Sequence, residues 1–371
     1  MNTLLLSFLP ILGMALLHVL WQALLIAMLT ALALRALRGA KAQTRYLVCC
    51  SALLACAALP VAYVVTHSDA NNMNPSSLNT LSIETLTGQN DVNSLASRFP
   101  FDTQSKVGQM LVTLEQQMKR VVVDTPQLLW CWALGVAVMA LRMALGLFWV
   151  RNLVAHAQLK TYPEWQKKLN QFAQQMGIQR EIRMGVSNQI SAPVTAGWWR
   201  PIVIVPSSLF SAMPVDLLEA LLAHEIAHIK RYDYVVNLLQ SAIEIFLFYH
   251  PAVWWLSKQI RIAREQIADD LAAGLLGEPR RLALALSELE QFQFSHPQLA
   301  QAAHGGNLMS RITRLVRPEV PTKTLPWKML VSMIGLSTAC VVLYAQANVM
   351  EQNSAVKAPA TPVAPPAPRF A

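Results

Sequence analysis

The chain contains two histidines one helical turn apart, with a glutamate beside the first. Residues of these types at this spacing could support catalysis. They form the run His224–Glu225–Ile226–Ala227–His228. Positions i and i+4 of a helix share a face, so both imidazoles can reach one metal ion. Zinc binds histidine nitrogens and, in catalytic sites, keeps one position open for water. Glu225 is then the general base that activates this water for attack on a peptide carbonyl.

A helix must carry these residues, and the surrounding sequence predicts one. Pro214 suits a first helical turn, and Asp216 and Glu219 suit the positive end of the helix dipole. An apolar stripe is formed by Leu217, Leu218, Leu221 and Leu222. Because the H-E-x-x-H pattern alone is a weak signal, a third metal ligand is needed.

A third ligand is offered by the downstream pattern E-x-x-x-D, formed by Glu265 and Asp269. The two carboxylates share a face of a second helical segment. One of them can bind the metal while the other hydrogen-bonds a ligand histidine. The two patterns together predict a Zn²⁺ site.

The composition is that of a membrane protein. Of the 371 residues 54% are hydrophobic and only 14% are charged, whereas soluble proteins carry about 25% charged residues. The net charge of +9 is explained by basic residues that flank membrane segments, so we expect no direct nucleic-acid partner. The five cysteines lie in apolar stretches without metal-binding spacing, which favours buried small hydrophobes.

Four transmembrane helices are predicted, and the lipid bilayer is therefore a partner. They cover residues 11–34, 46–65, 126–151 and 326–345. The first is followed by Arg35, Arg38, Lys41 and Arg45. The positive-inside rule places this loop in the cytoplasm and both termini outside, in a multi-pass protein of the cell inner (cytoplasmic) membrane.

The remaining segments divide between the two sides of the membrane. Residues 68–125 are predicted to form an exported loop, and residues 346–371 a disordered exported tail rich in Pro and Ala. Residues 152–325 form the catalytic domain facing the cytoplasm, with strands at 181–184 and 201–205. The fold class is thus mainly α, a polytopic membrane protein whose cytoplasmic domain carries a small β-sheet.

The apolar segment 234–256 could be counted as a further span. If it crossed the bilayer, however, His228 and Glu265 would lie on opposite sides and could not share a metal ion. Residues 249–251, Tyr-His-Pro, offer a helix break in its middle. We therefore expect a helical hairpin that dips into the membrane or lies against it.

The chain resembles the BlaR/MecR family of membrane zinc metallopeptidases. The resemblance rests on residues 17–22 (LHVLWQ), 193–206 (PVTAG leading to PIVIVP), 224–233 (HEIAH, then Arg and Asp) and 250–269 (HPAVWW leading to RE and Asp). It implies a gluzincin-type site (HExxH…ExxxD) in which zinc is bound by His224, His228 and Glu265. Glu225 would be the catalytic base, and Asp269 would orient a ligand histidine.

The resemblance also implies a partner. In sensor members of that family an outside signal makes the protease cleave itself and then promotes loss of a DNA-binding repressor. Those sensors carry an exported C-terminal penicillin-binding domain with a Ser-x-x-Lys motif, whereas here a short Pro/Ala tail follows the last predicted span. We therefore expect no direct acylation by a β-lactam, and the self-cleavage inference is weaker.

Two functional classes fit the sequence. One is a membrane-embedded zinc endopeptidase acting on a cytoplasmic or juxtamembrane protein, and the other is a non-proteolytic receptor or scaffold. The first is favoured because a scaffold has no physical need for the base Glu225. Candidates for a group that polarises the substrate carbonyl are Arg231, Tyr232 and His304, among which the sequence does not choose.

Overall fold

Long apolar helices dominate the part of the chain before the catalytic motifs. They are α1 (Asn2–Ala36), α2 (Ala42–Asn72) and α3 (Pro126–His156). The stretches Ile11–Ala36, Ala42–Thr66 and Gln127–His156 are long and apolar enough to cross a membrane. These three stretches correspond to the first three predicted spans.

The computed structural model describes residues 2–72, 126–159, 162–295 and 305–317. The fourth predicted span, the C-terminal tail and residues 73–125 of the exported loop lie outside these ranges. Chain contacts divide the protein into one unit of residues 1–22, 55–130 and 331–371 and another of residues 23–54 and 131–330. All residues of the predicted zinc site belong to the second unit.

In the first unit, an aromatic contact joins the middle of α1 to the second half of α2. The ring of His18 lies 5.3 Å from the ring of Tyr63, centroid to centroid. Trp21 Nε1 lies 3.4 Å from His18 Nδ1. One face of α1 therefore packs on protein.

A four-stranded mixed sheet lies in the second unit. Its strands are β1 (Gln158–Leu159), β2 (Arg183–Ser187), β3 (Val194–Ala196) and β4 (Ile202–Pro206), and α4 (Pro163–Gln175) lies between β1 and β2 in the chain. The spatial order is β1-β2-β4-β3, with β2 and β4 parallel and the other pairs antiparallel. All five residues of β4 are buried, as expected for an apolar strand covered on both faces.

The strand predictions were close but incomplete. The predicted strands at 181–184 and 201–205 correspond to β2 and β4, each beginning one or two residues later. β3 lies in the segment between them, where no strand was predicted. It pairs Thr195 with Val203 of β4, and three residues are too few for an alternating pattern to be recognised.

Helices complete this unit. They are α5 (Leu209–Ala212), α6 (Val215–Lys230), α7 (Asp233–Phe246), α8 (Pro251–Leu276), α9 (Pro279–Ser295) and α10 (Gly305–Val316). The core contains Ala223 and Ala227 of α6 together with Ala268 and Ala272 of α8. Small side chains on both helices allow their axes to approach closely, which lets polar residues of α6 and α8 meet.

A tight turn joins α7 to α8, so the helix break predicted at residues 249–251 is confirmed. The buried side chain of His250 caps α8, because its Nδ1 accepts a hydrogen bond of 3.1 Å from the Ala252 amide. Gln240 of α7 donates to the carbonyl of Ser257 on α8 at 3.2 Å. The two helices therefore form a hairpin, and α8 returns to α6.

Candidate metal centre

Three side chains from two helices converge on one point. α6 supplies His224 and His228, whose Nε2 atoms are 3.1 Å apart. α8 supplies Glu265, whose carboxylate oxygens lie 3.5 Å from His224 Nε2 and 3.9 Å from His228 Nε2. Two ligands of a tetrahedral zinc ion with bonds of about 2.1 Å are roughly 3.4 Å apart, so these separations fit a shared metal.

Buried carboxylates fix the orientation of both histidines. Asp233 Oδ2 lies 2.7 Å from His228 Nδ1, and Asp269 Oδ1 lies 3.1 Å from His224 Nδ1. A carboxylate only accepts hydrogen bonds, so the Asp233 contact places the imidazole proton of His228 on Nδ1. The contact between Asp269 and His224 Nδ1 is an ion pair without hydrogen-bond geometry. The Nε2 atoms of both rings face each other at 3.1 Å, an arrangement that a cation stabilises.

The turn between α6 and α7 makes the Asp233 contact possible. Tyr232 adopts a left-handed backbone conformation with φ +57°, which is uncommon for a residue with a side chain. Its ring lies against the guanidinium of Arg180, 4.1 Å from ring centroid to Cζ. The turn starts α7 immediately afterwards, with Asp233 beside the last turn of α6.

Arg311 of α10 also reaches the centre, which the sequence analysis did not foresee. Its Nε and Nη2 donate to the two oxygens of Asp269 at 2.9 and 2.7 Å. Its Nη1 lies 3.3 Å from Glu265 Oε2. In the sequence Arg311 is one of several basic residues that precede the predicted span at 326–345. No local pattern therefore marks it as part of the metal centre.

The carboxylates and Arg311 set the charge of the centre. Burial opposes the protonation of His224, but Asp269 and Glu265 outweigh it and raise its pKa to about 9. Burial also opposes the ionisation of Asp269, but Arg311 and His224 lower its pKa to about 2. The pKa of Glu265 is likewise lowered, because His224, His228 and Arg311 outweigh its burial. A proton on His224 thus competes with any metal for the same nitrogen cluster.

Glu225 lies on α6 between the two histidines and lines the cleft above them. Thr195 Oγ1 of β3 donates a hydrogen bond of 2.6 Å to Glu225 Oε2. The hydroxyl thereby orients the carboxylate. Thr195 had no role in the sequence analysis, although it belongs to the P-V-T-A-G motif that carried the resemblance.

The three candidates for carbonyl polarisation differ in position. Tyr232 lines the cleft. Arg231 instead donates to the Arg264 carbonyl at 3.1 Å and to Asp233 at 3.4 Å, and its guanidinium stacks on the ring of Tyr46 in α2. Arg231 therefore braces Asp233. His304 lies outside the described residues.

The cleft has a volume of about 440 Å³, and the three candidate ligands, Glu225 and Thr195 line it. Residues of β3 and α6 also line it, together with Trp198 and Arg311. The volume of the cleft falls within the range of roughly 300–1,000 Å³ that is typical of small-molecule sites.

The sequence was compared with known families and proteins. A family model described as BlaR1 peptidase M56 matches residues 14–285. The chain is 29% identical over 140 residues to the Regulatory protein BlaR1 of Bacillus licheniformis, covering 37% of this chain and 23% of that protein. It is 31% identical over 135 residues to the Protease HtpX homolog of Bacillus licheniformis, covering 34% of this chain and 43% of that protein.

The chain thus spans less than half the length of either relative. The family model, in contrast, covers well over half of this chain and includes the H-E-x-x-H helix and the E-x-x-x-D segment. Together with the apolar helices, this makes the protein a membrane protein that belongs to the BlaR1 peptidase M56 family.

Proposed function

We propose that this protein is an integral-membrane zinc endopeptidase that cleaves a cytoplasmic or juxtamembrane protein. The observation that carries the proposal is the convergence of His224, His228 and Glu265 beside Glu225. Nε2 of each histidine and one oxygen of the glutamate lie within 4.8 Å of one another. This donor set of two imidazoles and a carboxylate is typical of catalytic zinc.

Each residue has a defined task in this reaction. His224, His228 and Glu265 would hold the zinc ion, which supplies Lewis acidity for the attacking water and the peptide carbonyl. Glu225 takes the proton from the water and later delivers it to the leaving amine. Thr195 holds Glu225 in place, while Asp233 and Asp269 keep both histidine Nε2 atoms aimed at the metal.

Substrate would bind as an additional strand. β3 is the last strand of the sheet order, paired with β4 on one side. Among the described residues its other edge carries no strand, and Thr195 joins it to the cleft. An extended peptide can add to such an edge through backbone hydrogen bonds, which brings the scissile bond above α6.

The membrane context suggests the substrate class. We infer that residues 35–45 and the catalytic domain face the cytoplasm, because that loop is rich in arginine. With the predicted fourth span at 326–345, both chain termini then lie outside. The likeness to a regulatory protein, BlaR1, supports a role in signal transduction, with a DNA-binding repressor or the chain itself as the substrate.

Comparison of new protein N-termini tests the proposal. Cells that produce the native chain and cells that produce Glu225→Gln would be compared by mass spectrometry. We expect termini that occur only with Glu225, and these would name both substrate and bond. Identical sets of termini, from zinc-loaded proteins present at equal amounts under every inducing condition tried, would favour the receptor or scaffold instead.

A further inference from the structure

A second cavity lies away from the metal centre, where α1 ends and α2 begins. It has a volume of about 450 Å³ and is closed on one side by α8. None of the residues predicted to bind zinc lines it. Its size suits a small ligand or part of a larger one.

Three arginines give this cavity its charge. Arg35 at the end of α1, Arg38 in the turn that follows and Arg45 in α2 line it. No Asp or Glu is found among its lining residues in the described part of the chain. Arg45 is half-buried and donates a hydrogen bond of 2.9 Å to the side chain of Gln266. The guanidinium groups of Arg35 and Arg38 are exposed at the cavity. Two such groups favour an anion, and their forked donors match phosphate oxygens.

The rest of the cavity wall is largely apolar. Leu34 and Ala31 of α1 and Trp255 and Ile262 of α8 belong to it. An apolar wall does not contribute to the binding of a soluble anion, whereas a lipid has both an anionic headgroup and hydrocarbon that can contact it.

The position of the cavity also favours a lipid ligand. The candidate span Ile11–Ala36 ends here and the candidate span Ala42–Thr66 begins here. The ends of membrane spans lie at the depth of the lipid headgroups. Basic pockets between membrane helices at this depth are suited to anionic headgroups.

We propose that this cavity binds the phosphate group of an anionic phospholipid. Arg35 and Arg38 hold the phosphate, and the apolar wall between α1 and α8 receives the first part of the acyl chains. The ligand thereby joins α1 and α2 to α8, the helix that carries Glu265.

The test measures phospholipid binding to the purified full-length protein in detergent. Native mass spectrometry would count bound phosphatidylglycerol and phosphatidylcholine for the native chain and for the double variant Arg35→Gln/Arg38→Gln. We expect the variant to bind phosphatidylglycerol roughly tenfold or more weakly, with phosphatidylcholine binding unchanged. The matched control is Lys41→Gln/Arg151→Gln, which removes two exposed, membrane-flanking charges outside the cavity and should bind like the native chain.

A measurement with inorganic phosphate distinguishes a phospholipid from a soluble phosphate compound as the ligand. If phosphate alone raises the thermal unfolding midpoint of the native chain but not of Arg35→Gln/Arg38→Gln, and phosphatidylglycerol adds nothing, the ligand is a soluble phosphate compound and the lipid assignment is wrong. Equal losses of phosphatidylglycerol in the double variant and in the control would show general surface attraction and overturn the site. No preference of the native chain for phosphatidylglycerol over phosphatidylcholine would also overturn it.

Discussion

Arg311 forms two parallel hydrogen bonds to the carboxylate of Asp269, at 2.9 Å from Nε and 2.7 Å from Nη2. Asp269 is fully buried and Arg311 nearly so, with 0% and 15% of their side-chain surfaces exposed. Through this pair α10 is fixed on α8 directly beside the candidate zinc ligands. The same helix carries Arg314, which holds the more exposed Asp270.

Loss of the Arg311 charge is expected to destabilise the metal-free protein strongly. Arg311→Gln removes the cation that hydrogen-bonds both oxygens of the buried Asp269 carboxylate, and breaking such a pair costs about 3–5 kcal/mol. Arg314→Gln is the matched control, because its partner Asp270 is 51% exposed and exposed pairs contribute at most about 1 kcal/mol. Thermal unfolding in detergent measures both, and equal shifts of the midpoint would contradict the role assigned to Arg311.

Removal of either carboxylate behind the histidines is expected to weaken zinc binding. Asp233→Asn and Asp269→Asn retain side-chain size but lose the negative charge beside each Nδ1, which should lower zinc affinity about 10- to 100-fold. Competition with a chromophoric chelator measures this affinity. Asp270→Asn, on the same helix as Asp269, should bind zinc like the native chain. If it binds as weakly as the other two, the loss reflects disturbance of the helix.

The candidate zinc ligands could be paired from the sequence because helix periodicity is a local property. Positions i and i+4 face one way wherever a helix forms, so His224 with His228, and Glu265 with Asp269, could each be paired from the sequence. The need to bring the two pairs together also predicted the turn before Pro251. The requirement that His228 and Glu265 share one metal ion thus predicted a helix break that hydropathy alone did not predict.

The supporting residues were not predictable, since their contacts are set by tertiary structure. Arg311 lies 87 positions after His224 in the sequence, on a helix whose packing on α8 no local pattern encodes. Thr195 contacts Glu225 only because β3 pairs antiparallel with β4. Asp233 was noted in a motif, but its contact with His228 depends on the left-handed backbone of Tyr232.

Zinc affinity is expected to rise with pH. The pKa of His224 in the metal-free protein is raised from 6.5 to about 9, whereas zinc requires the neutral ring. Below pH 9 zinc must therefore displace a proton, so apparent affinity should increase about tenfold for each pH unit and level off above pH 9. Chelator competition at pH 7 and pH 8 measures the slope. Equal affinities at both pH values would show that His224 is already neutral.

The same pKa predicts how the metal-free fold responds to pH. A raised pKa means that the folded state binds the proton more tightly than the unfolded state. The stability from this proton is complete below pH 6.5 and is lost as the pH rises towards 9. Zinc-loaded protein should lack this loss, so the difference between the unfolding midpoints of loaded and metal-free protein should widen between pH 7 and pH 9. A difference between the two midpoints that stays constant over this pH range would contradict the raised pKa of His224.

The proposed orientation predicts opposite locations for two tags. An epitope inserted after Gly39, in the turn between α1 and α2, should be protected from a protease added outside intact cells. An epitope after Ala371 should be digested, because three of the four predicted spans lie between the turn and the C-terminus, and an odd number of crossings places the two on opposite sides. Disruption of the cells should expose the first epitope. Digestion or protection of both epitopes in intact cells would contradict the four-span arrangement.

The hydrogen bond from Thr195 to Glu225 predicts a separation of catalysis from metal binding. Thr195→Val has nearly the same shape but leaves Glu225 without its donor at 2.6 Å. Since a hydrogen bond to a charged group contributes about 1.5–3 kcal/mol, kcat/KM for the cleaved bond should fall about tenfold to hundredfold. Zinc content should not change, because Thr195 does not contact the histidines, and Thr195→Ser should restore much of the rate. If Thr195→Ser is as slow as Thr195→Val, the hydroxyl is not what positions the base, and the threonine acts through the packing of β3 on α6.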